Sequence, residues 1–350
     1  MILPENRPAL VLAPMQDVTD LSFMRVIARR GAPDWFVTEY FRVHPISKPE
    51  AHILRSIREN TTGRPIYAQL IGRDPESLQR TIALLENEPI AGIDLNLGCP
   101  APVVCRKDAG GGLLRDPATL DDLLGMMRAA VKGRFTVKTR LGFTSPEEFP
   151  KLLDVFRRHA IDGLTVHGRT VAERYQTPVH PDAIRPAVEA LPCPVIANGN
   201  AVDVETARNL LTQTGAAGVM VGRGAIRNPW IFAQLDAALR GQPAFRPTHR
   251  DLLEYITDLY DELAAATETF DPLKHVQRMK RTLVYISQGI GDGTFDHQIR
   301  RARSPDEFHT ICRTHLDHAA PLPVLPPENS RIFCGFLAWN APGGIPVHDH

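Results

Sequence analysis

Cys99 follows the apolar run Gly92–Leu97 on the turn Asn96-Leu97-Gly98-Cys99-Pro100, which puts a thiol where a buried strand stops. Glycine before it and proline after it end the strand and shape the turn. A thiol in that place can face a ligand and give up a proton, because an unperturbed pKa of about 8.5 leaves it mostly protonated at neutral pH. For any lone cysteine the plain alternative is a buried structural residue. Other strand ends carry polar groups of a matching kind: Gln69, Asn96, Lys138 with Arg140, His167 with Arg169, Asn198 with Asn200, and Arg223. Residues two apart on a strand share a side, so Lys138 and Arg140 point together, as do His167 and Arg169. One or two such groups could satisfy each other inside a protein. A basic or amide group on successive strands indicates a polar, anionic ligand.

The elements that must position these residues alternate. Apolar runs recur at Ala9–Met15, Trp35–Phe41, Pro65–Ile71, Gly92–Gly98, Phe135–Leu141, Gly163–Gly168, Pro194–Gly199 and Gly218–Gly222. Helical patterns lie between them at Leu21–Arg30, Pro75–Glu86, Pro117–Val131, Pro146–His159, Val202–Leu211 and Trp230–Arg240. Asp74-Pro75, Asp116-Pro117 and Ser145-Pro146 are start signals, a capping side chain followed by proline at the first helical position. Strand and helix alternating through short connections predict a parallel sheet, and eight such units predict a (β/α)8 TIM barrel of the α/β class. A doubly wound open sheet is the alternative. In a barrel the loops at the C-terminal strand ends build the site, where the polar residues above fall.

Val195-Ile-Ala-Asn-Gly-Asn and Val219-Met-Val-Gly-Arg-Gly close the last two strands, where barrels commonly hold a phosphate. Gly199, Gly222 and Gly224 let main chain approach closely, and Arg223 can add a charged contact, although tight turns alone use glycine too. Lys138 offers a fixed cation suited to the N1–C2 carbonyl edge of a reduced flavin, and Gln69 a donor and acceptor for the opposite edge. Lys138 could equally be the Schiff-base lysine of an aldolase-type barrel.

With these pieces in order, residues 8 to 318 or so resemble the tRNA-dihydrouridine synthase family. The resemblance rests on Leu12-Ala-Pro-Met-Gln-Asp-Val-Thr-Asp, Asp94-Leu-Asn-Leu-Gly-Cys-Pro, Gly110-Gly-Gly-Leu-Leu, Lys138-Thr-Arg, Val166-His-Gly-Arg, Ala197-Asn-Gly-Asn and Gly222-Arg-Gly, in that sequence. It implies an FMN-dependent enzyme that uses NADPH to reduce the 5,6 double bond of a tRNA uridine. By position it implies Cys99 as the proton donor and Pro14, Met15 and Gln16 along the isoalloxazine. Gln69 and Lys138 would meet the polar edges of that ring system, and His167, Asn198, Gly199, Asn200, Gly222 and Arg223 the ribityl phosphate. Asn96 and Arg140 match positions near the flipped uracil, and Arg42 a position touching RNA. Cys105, in the same glycine-rich loop, competes with Cys99 for the acid role. His275-Val-Gln-Arg-Met-Lys-Arg, Val37-Thr-Glu-Tyr-Phe-Arg-Val and Val166-His-Gly-Arg-Thr look most like the bacterial C-type subgroup, which implies the D-loop uridine at position 16 rather than 20.

After Gly241 the strand pattern stops, and Gly241-Gln-Pro-Ala-Phe-Arg-Pro reads as a linker. The organisation expected is a catalytic barrel at 1–240, a helical tRNA-binding domain at 241–319 and an extended proline-containing tail at 320–350. Within the helical part, Asp251, Glu254, Asp258, Asp261 and Glu262 make an acidic stretch, while Lys274, Arg278, Lys280 and Arg281, then Arg300, Arg301 and Arg303, make a basic one. Such a run is ordinarily a solvated face, but spacings of three and four can line up phosphate contacts.

The whole chain has 350 residues, 40 Lys and Arg against 40 Asp and Glu, and so no net charge to attract nucleic acid from a distance. Five scattered cysteines without Cys-x-x-Cys spacing predict free thiols, neither disulfides nor a metal site; the terminal His348 and His350 read as tail. No apolar run reaches membrane-spanning length and no secretory signal is visible, so a cytoplasmic protein, expected to be a monomer, follows. Three other functions compete: an FMN barrel acting on a free pyrimidine such as dihydroorotate, a phosphate-binding lyase using Lys138, and a non-catalytic RNA-binding module.

Overall fold

The computed structural model describes residues 3–267, 270–328 and 330–333. Its strands are β1 (Ala9–Leu12), β2 (Phe36–Arg42), β3 (Ile66–Ile71), β4 (Gly92–Leu97), β5 (Arg134–Arg140), β6 (Gly163–His167), β7 (Val195–Asn198) and β8 (Gly218–Val221). They form one parallel sheet in the order β1-β8-β7-β6-β5-β4-β3-β2, so that strands consecutive in the chain lie side by side. The ends of that order meet through a parallel bridge from Val11 to Trp35 and a bond from the Asp34 amide to the Leu10 carbonyl at 2.8 Å. The sheet thus curls into a (β/α)8 barrel of the TIM type. β4 and β8 are buried along their whole length, as strands enclosed on both faces must be.

All eight expected strands form. β1 stops at Leu12 rather than Met15, because the Thr19 hydroxyl accepts from the Met15 amide at 2.9 Å and donates to the Met15 carbonyl at 3.1 Å, folding the chain into a turn. Asp74 caps Pro75–Leu85 by accepting from the Ser77 amide, and Asp116 caps Pro117–Ala130 by accepting from Ala118 and Thr119. Ser145 and Glu148 form a reciprocal capping box where the chain enters Phe149–Arg158. Helix Ala51–Arg58 begins without a capping side chain, which is why no start signal announces it.

The chain divides into two compact units. One holds the chain up to Leu21, Pro33–Ala201 and Glu205–Gly222; the other holds Ser22–Ala32, Val202–Val204 and the chain from Arg223 onward. The first carries the eight strands. The second packs Leu252, Tyr255, Ile256, Leu259, Met279, Leu283, Phe295 and Phe308 into a core of its own. There the acidic stretch of helix His249–Ala265 finds partners in helix Leu21–Gly31: Arg30 meets Asp258 at 2.6 Å and Arg29 meets Glu262 at 2.6 Å. The start of the tail is tied to the linker, with the His249 amide donating to Ala320 O at 3.0 Å and the Leu322 amide to Pro247 O at 2.9 Å. Cys334, the aromatic stretch after it, His348 and His350 lie outside the described residues. Among those described, Cys99, Cys105, Cys193 and Cys312 are free thiols, and no helix is long and apolar enough to cross a membrane.

Candidate active site

Strands β3, β4 and β5 carry one connected chain of polar groups that runs toward their C-terminal ends, all within the first unit. The Thr136 hydroxyl donates to Asp94 Oδ1 at 2.6 Å, and Gln69 Nε2 donates to Asp94 Oδ2 at 2.7 Å. Gln69 Oε1 in turn accepts from Asn96 Nδ2 at 2.8 Å. That bond fixes the Asn96 amide, whose Oδ1 accepts from the backbone amides of Gly98 at 3.0 Å and Cys99 at 2.9 Å. Asn96 therefore shapes the turn that carries the thiol, an Asx-type bond to the backbone two and three residues on. From the next strand Arg140 donates to the Gly98 carbonyl at 2.8 Å and braces the same turn.

Cys99 remains partly exposed. Cys105 is buried, its Sγ donates to the Cys99 carbonyl at 3.4 Å, and burial pushes its thiol pKa upward. Of the two thiols in this loop, only Cys99 is open to a ligand. The phenol of Tyr40, at the end of β2, is pushed upward by burial first and by nearby Cys99 second, and Arg42 stands 5.5 Å from its ring.

Lys138 pairs in register with Asn96 across β4 and β5. Burial, with nearby Arg140 adding to it, pulls its ammonium down to about 8, and among the described residues no hydrogen bond or ion pair holds that group. Gln16, in the loop after β1, has a buried Oε1 without a partner. A cation and an acceptor left without hydrogen-bond partners at one end of a barrel are what a polar, ring-shaped cofactor would complete. The loops after β1 and β8 adjoin, since a Cβ at Gly222 would lie 3.6 Å from Met15 Sδ; Gly199 holds a φ of +131°, which favours glycine.

The remaining candidates are placed as follows. Gln69 is fully buried with its amide engaged at both ends, so it acts through Asn96 in this structure. Arg140 is 2% exposed and also donates to the Thr170 and Arg174 carbonyls at 2.8 and 2.7 Å. His167 contacts Arg169 at 3.2 Å, and Arg169 reaches Asn200 Oδ1 at 3.2 Å. Asn198 Nδ2 donates to the Met220 carbonyl at 2.8 Å. Pro14 and Met15 are half-buried, and Arg42 is exposed at the end of β2. Arg223, in the second unit, donates to the carbonyls of Arg331 at 2.8 Å and Phe333 at 3.4 Å.

In the second unit, helix Pro272–Ile286 carries Lys274, Arg278 and Arg281 within one arc, as spacings of four and three require. Lys274 and Arg281 are exposed. Lys280 falls on another side, where burial lowers its pKa against the opposing charge of Glu307.

Glu39 was not anticipated. It is 4% exposed on β2, accepts from the Val18 amide at 3.0 Å and faces His52 at 3.5 Å, so it ties down the loop that bears Met15 and Gln16. Burial first, then the charges of Asp20 and Asp17, raise its pKa to about 7. The signal was present in the sequence as a carboxylate inside the apolar run Phe36-Val37-Thr38-Glu39-Tyr40-Phe41.

Comparison with known proteins agrees with this geometry. A probable tRNA-dihydrouridine synthase 2 of Bacillus subtilis is 31% identical over 89% of this chain and 96% of its own length. The tRNA-dihydrouridine(16) synthases of Pseudomonas putida and Cupriavidus necator are 31% and 32% identical over 80% and 78% of this chain, and each match covers 88% of the relative. Among solved structures, histamine dehydrogenase from Rhizobium sp. 4-9 shares the fold at a TM-score of 0.51 and 13% identity, covering 73% of this chain and 49% of that one. The family model for dihydrouridine synthase matches residues 11–320, and the chain belongs to that family.

Proposed function

We propose that this protein is an FMN-dependent tRNA-dihydrouridine synthase that reduces the C5=C6 bond of a D-loop uridine, position 16, with NADPH as reductant. The observation that carries the reading is the Cys99 turn, built by Asn96 and braced by Arg140, standing beside an unpartnered Lys138 ammonium at the same strand ends. The two relatives whose names specify position 16 support that choice of base.

Held by Pro14, Met15, Gln16, Lys138, His167, Asn198, Gly199, Asn200 and Gly222, FMN would supply the hydride for uracil C6, with NADPH restoring it. The chain supplies the rest. Negative charge develops at C5 of the uracil, and the Cys99 thiol would give its proton there. Asn96 and Arg140 fix the turn so that the sulfur does not swing away, a positioning effect on the same footing as any preorganised acid. Lys138 would hold positive charge beside the polar ring edge. A uridine stacked within tRNA cannot reach the barrel mouth, so the base must be taken out of the stack; Arg42 of the first unit would hold a phosphate, and the arc Lys274, Arg278 and Arg281 of the second unit would make phosphate contacts of its own. We read the protein as a cytoplasmic monomer with tRNA as its partner.

The test is direct. Purified protein should be yellow and release FMN, and with NADPH it should form dihydrouridine at position 16 of unmodified tRNA while leaving free uracil and orotate untouched. Colourless protein that takes up no FMN would end this reading, and turnover of orotate in place of tRNA would move it to the free-pyrimidine enzymes.

A further inference from the structure

Ile46 is 88% exposed, more than any other large apolar side chain among the described residues. A single exposed isoleucine is common and by itself says nothing. What sets this one apart is the effort spent on holding it out. It sits on the turn His44-Pro45-Ile46-Ser47, where the Ser47 amide donates to the His44 carbonyl at 3.0 Å and the His44 amide to Ser47 Oγ at 2.9 Å. From helix Pro75–Leu85, Arg80 clamps both ends of the turn, donating to the His44 carbonyl at 3.1 Å and the Ser47 carbonyl at 3.4 Å. With the Ser47 hydroxyl also donating to the His44 carbonyl at 2.9 Å, five bonds fix a turn whose tip contributes no burial to the fold.

The place matters as much as the rigidity. The turn follows β2 at the C-terminal end of the sheet, the end that carries Cys99. Arg42 and Lys48, both exposed, flank it in sequence, and the Arg80 that clamps it is also exposed. A second exposed apolar side chain at this end is Val103, 56% exposed on the short helix Pro102–Cys105 just beyond Cys99, with Arg106 and Lys107 exposed after it. Apolar tips set among cations fit a strand that is negative along its backbone and apolar on the faces of its bases. They do not fit a lipid or protein surface that is apolar throughout. Taking one base out of a stack leaves its neighbours with uncovered faces, and apolar wedges are the usual way in which proteins cover them.

We propose that Ile46 is an apolar wedge at the rim of the barrel mouth that packs on unstacked bases next to the target uridine, while Arg42 and Lys48 take the adjoining phosphates. This rests on the tRNA reading above and adds a contact residue to it. The experiment compares wild-type holoenzyme with Ile46→Ser, Ile46→Leu and Lys48→Ala, measuring binding of unmodified tRNA across a series of salt concentrations; thermal melting and flavin content serve as checks of folding. Ile46→Ser should bind roughly tenfold more weakly with the same slope of log affinity against log salt, because an apolar contact releases no counterion. Ile46→Leu should regain most of the loss, whereas Lys48→Ala should flatten the slope by about one contact. Equal affinity of Ile46→Ser and wild type overturns the wedge alone. So does a wild-type dimer that Ile46→Ser dissociates without loss of tRNA binding, since it assigns the residue to self-association. Wild-type protein that binds no tRNA overturns both the wedge and the function it rests on.

Discussion

At the scale of the residue, the acid role can be separated from every other role of the loop. Cys99→Ala removes one sulfur from a turn whose shape is set by the Asn96 side chain and the Arg140 guanidinium, so the turn should persist. The variant should retain FMN and its reduction by NADPH yet lose dihydrouridine formation by about 10²-fold or more, the usual worth of a placed proton donor. Undiminished product in mapped tRNA would remove Cys99 from the mechanism. Glu39 makes a different prediction, on stability. Its folded pKa of about 7 lies above the ordinary 4.5. The folded state therefore keeps this proton longer than the unfolded state, and its contribution is full below pH 4.5 and is lost as pH rises through 7. Glu39→Gln keeps an acceptor for the Val18 amide without the buried charge. Compared with wild type it should gain up to about 3 kcal/mol at pH 8 and little at pH 4.5, read by urea unfolding at both pH values. Equal gains at the two pH values would mean that Glu39 does not titrate near 7.

At the scale of the element, the strands were legible because all but β2 are apolar runs bounded by glycine or proline, and the helices after Asp74, Asp116 and Ser145 because a cap and a proline stand together. Helix Ala51–Arg58 offers neither mark, and the end of β1 depends on the bond between Thr19 and Met15, which no local pattern reveals. At the site, the polar strand ends could be read from spacing, but their partners could not. Spacing places Gln69 and Arg140 at the site, and the structure adds what spacing does not carry, their bonds to Asn96 and to backbone carbonyls, as buried polar groups require. The basic helix shows the same limit. Four cations were read as one group, and helical geometry keeps Lys274, Arg278 and Arg281 together while turning Lys280 aside. Neutralising the three together should weaken tRNA binding and flatten its salt dependence by roughly two to three contacts at 0.7 to 0.9 each, whereas Lys280→Ala should change the slope little. Equal effects from both variants would show that phosphates do not follow that arc.

At the scale of the whole molecule, sequence order hides which parts belong together. Helix Leu21–Gly31 follows the first strand, yet from Ser22 on it groups with residues after Arg223, tied by Arg30 to Asp258 across 228 positions. The complementary charge of the two helices is the one sequence feature that points to this, since the acidic stretch of one meets Arg29 and Arg30 of the other. A bound cofactor should act at this scale too, since any ligand that binds the folded state alone stabilises it by mass action. At 100 times its dissociation constant FMN should add about 2.7 kcal/mol, a rise in melting temperature of roughly 5 to 10 °C for a barrel of this size. Lys138 sets the pH dependence of that rise. Burial pulls its pKa down to about 8, so the cation proposed to meet the ring edge would be present below pH 8 and lost above it. The melting shift produced by a fixed FMN concentration should therefore shrink between pH 7 and pH 9 in wild type and be small at both in Lys138→Ala. A shift of equal size in the two proteins at pH 7 would place the cofactor away from Lys138 and leave its buried charge without a function.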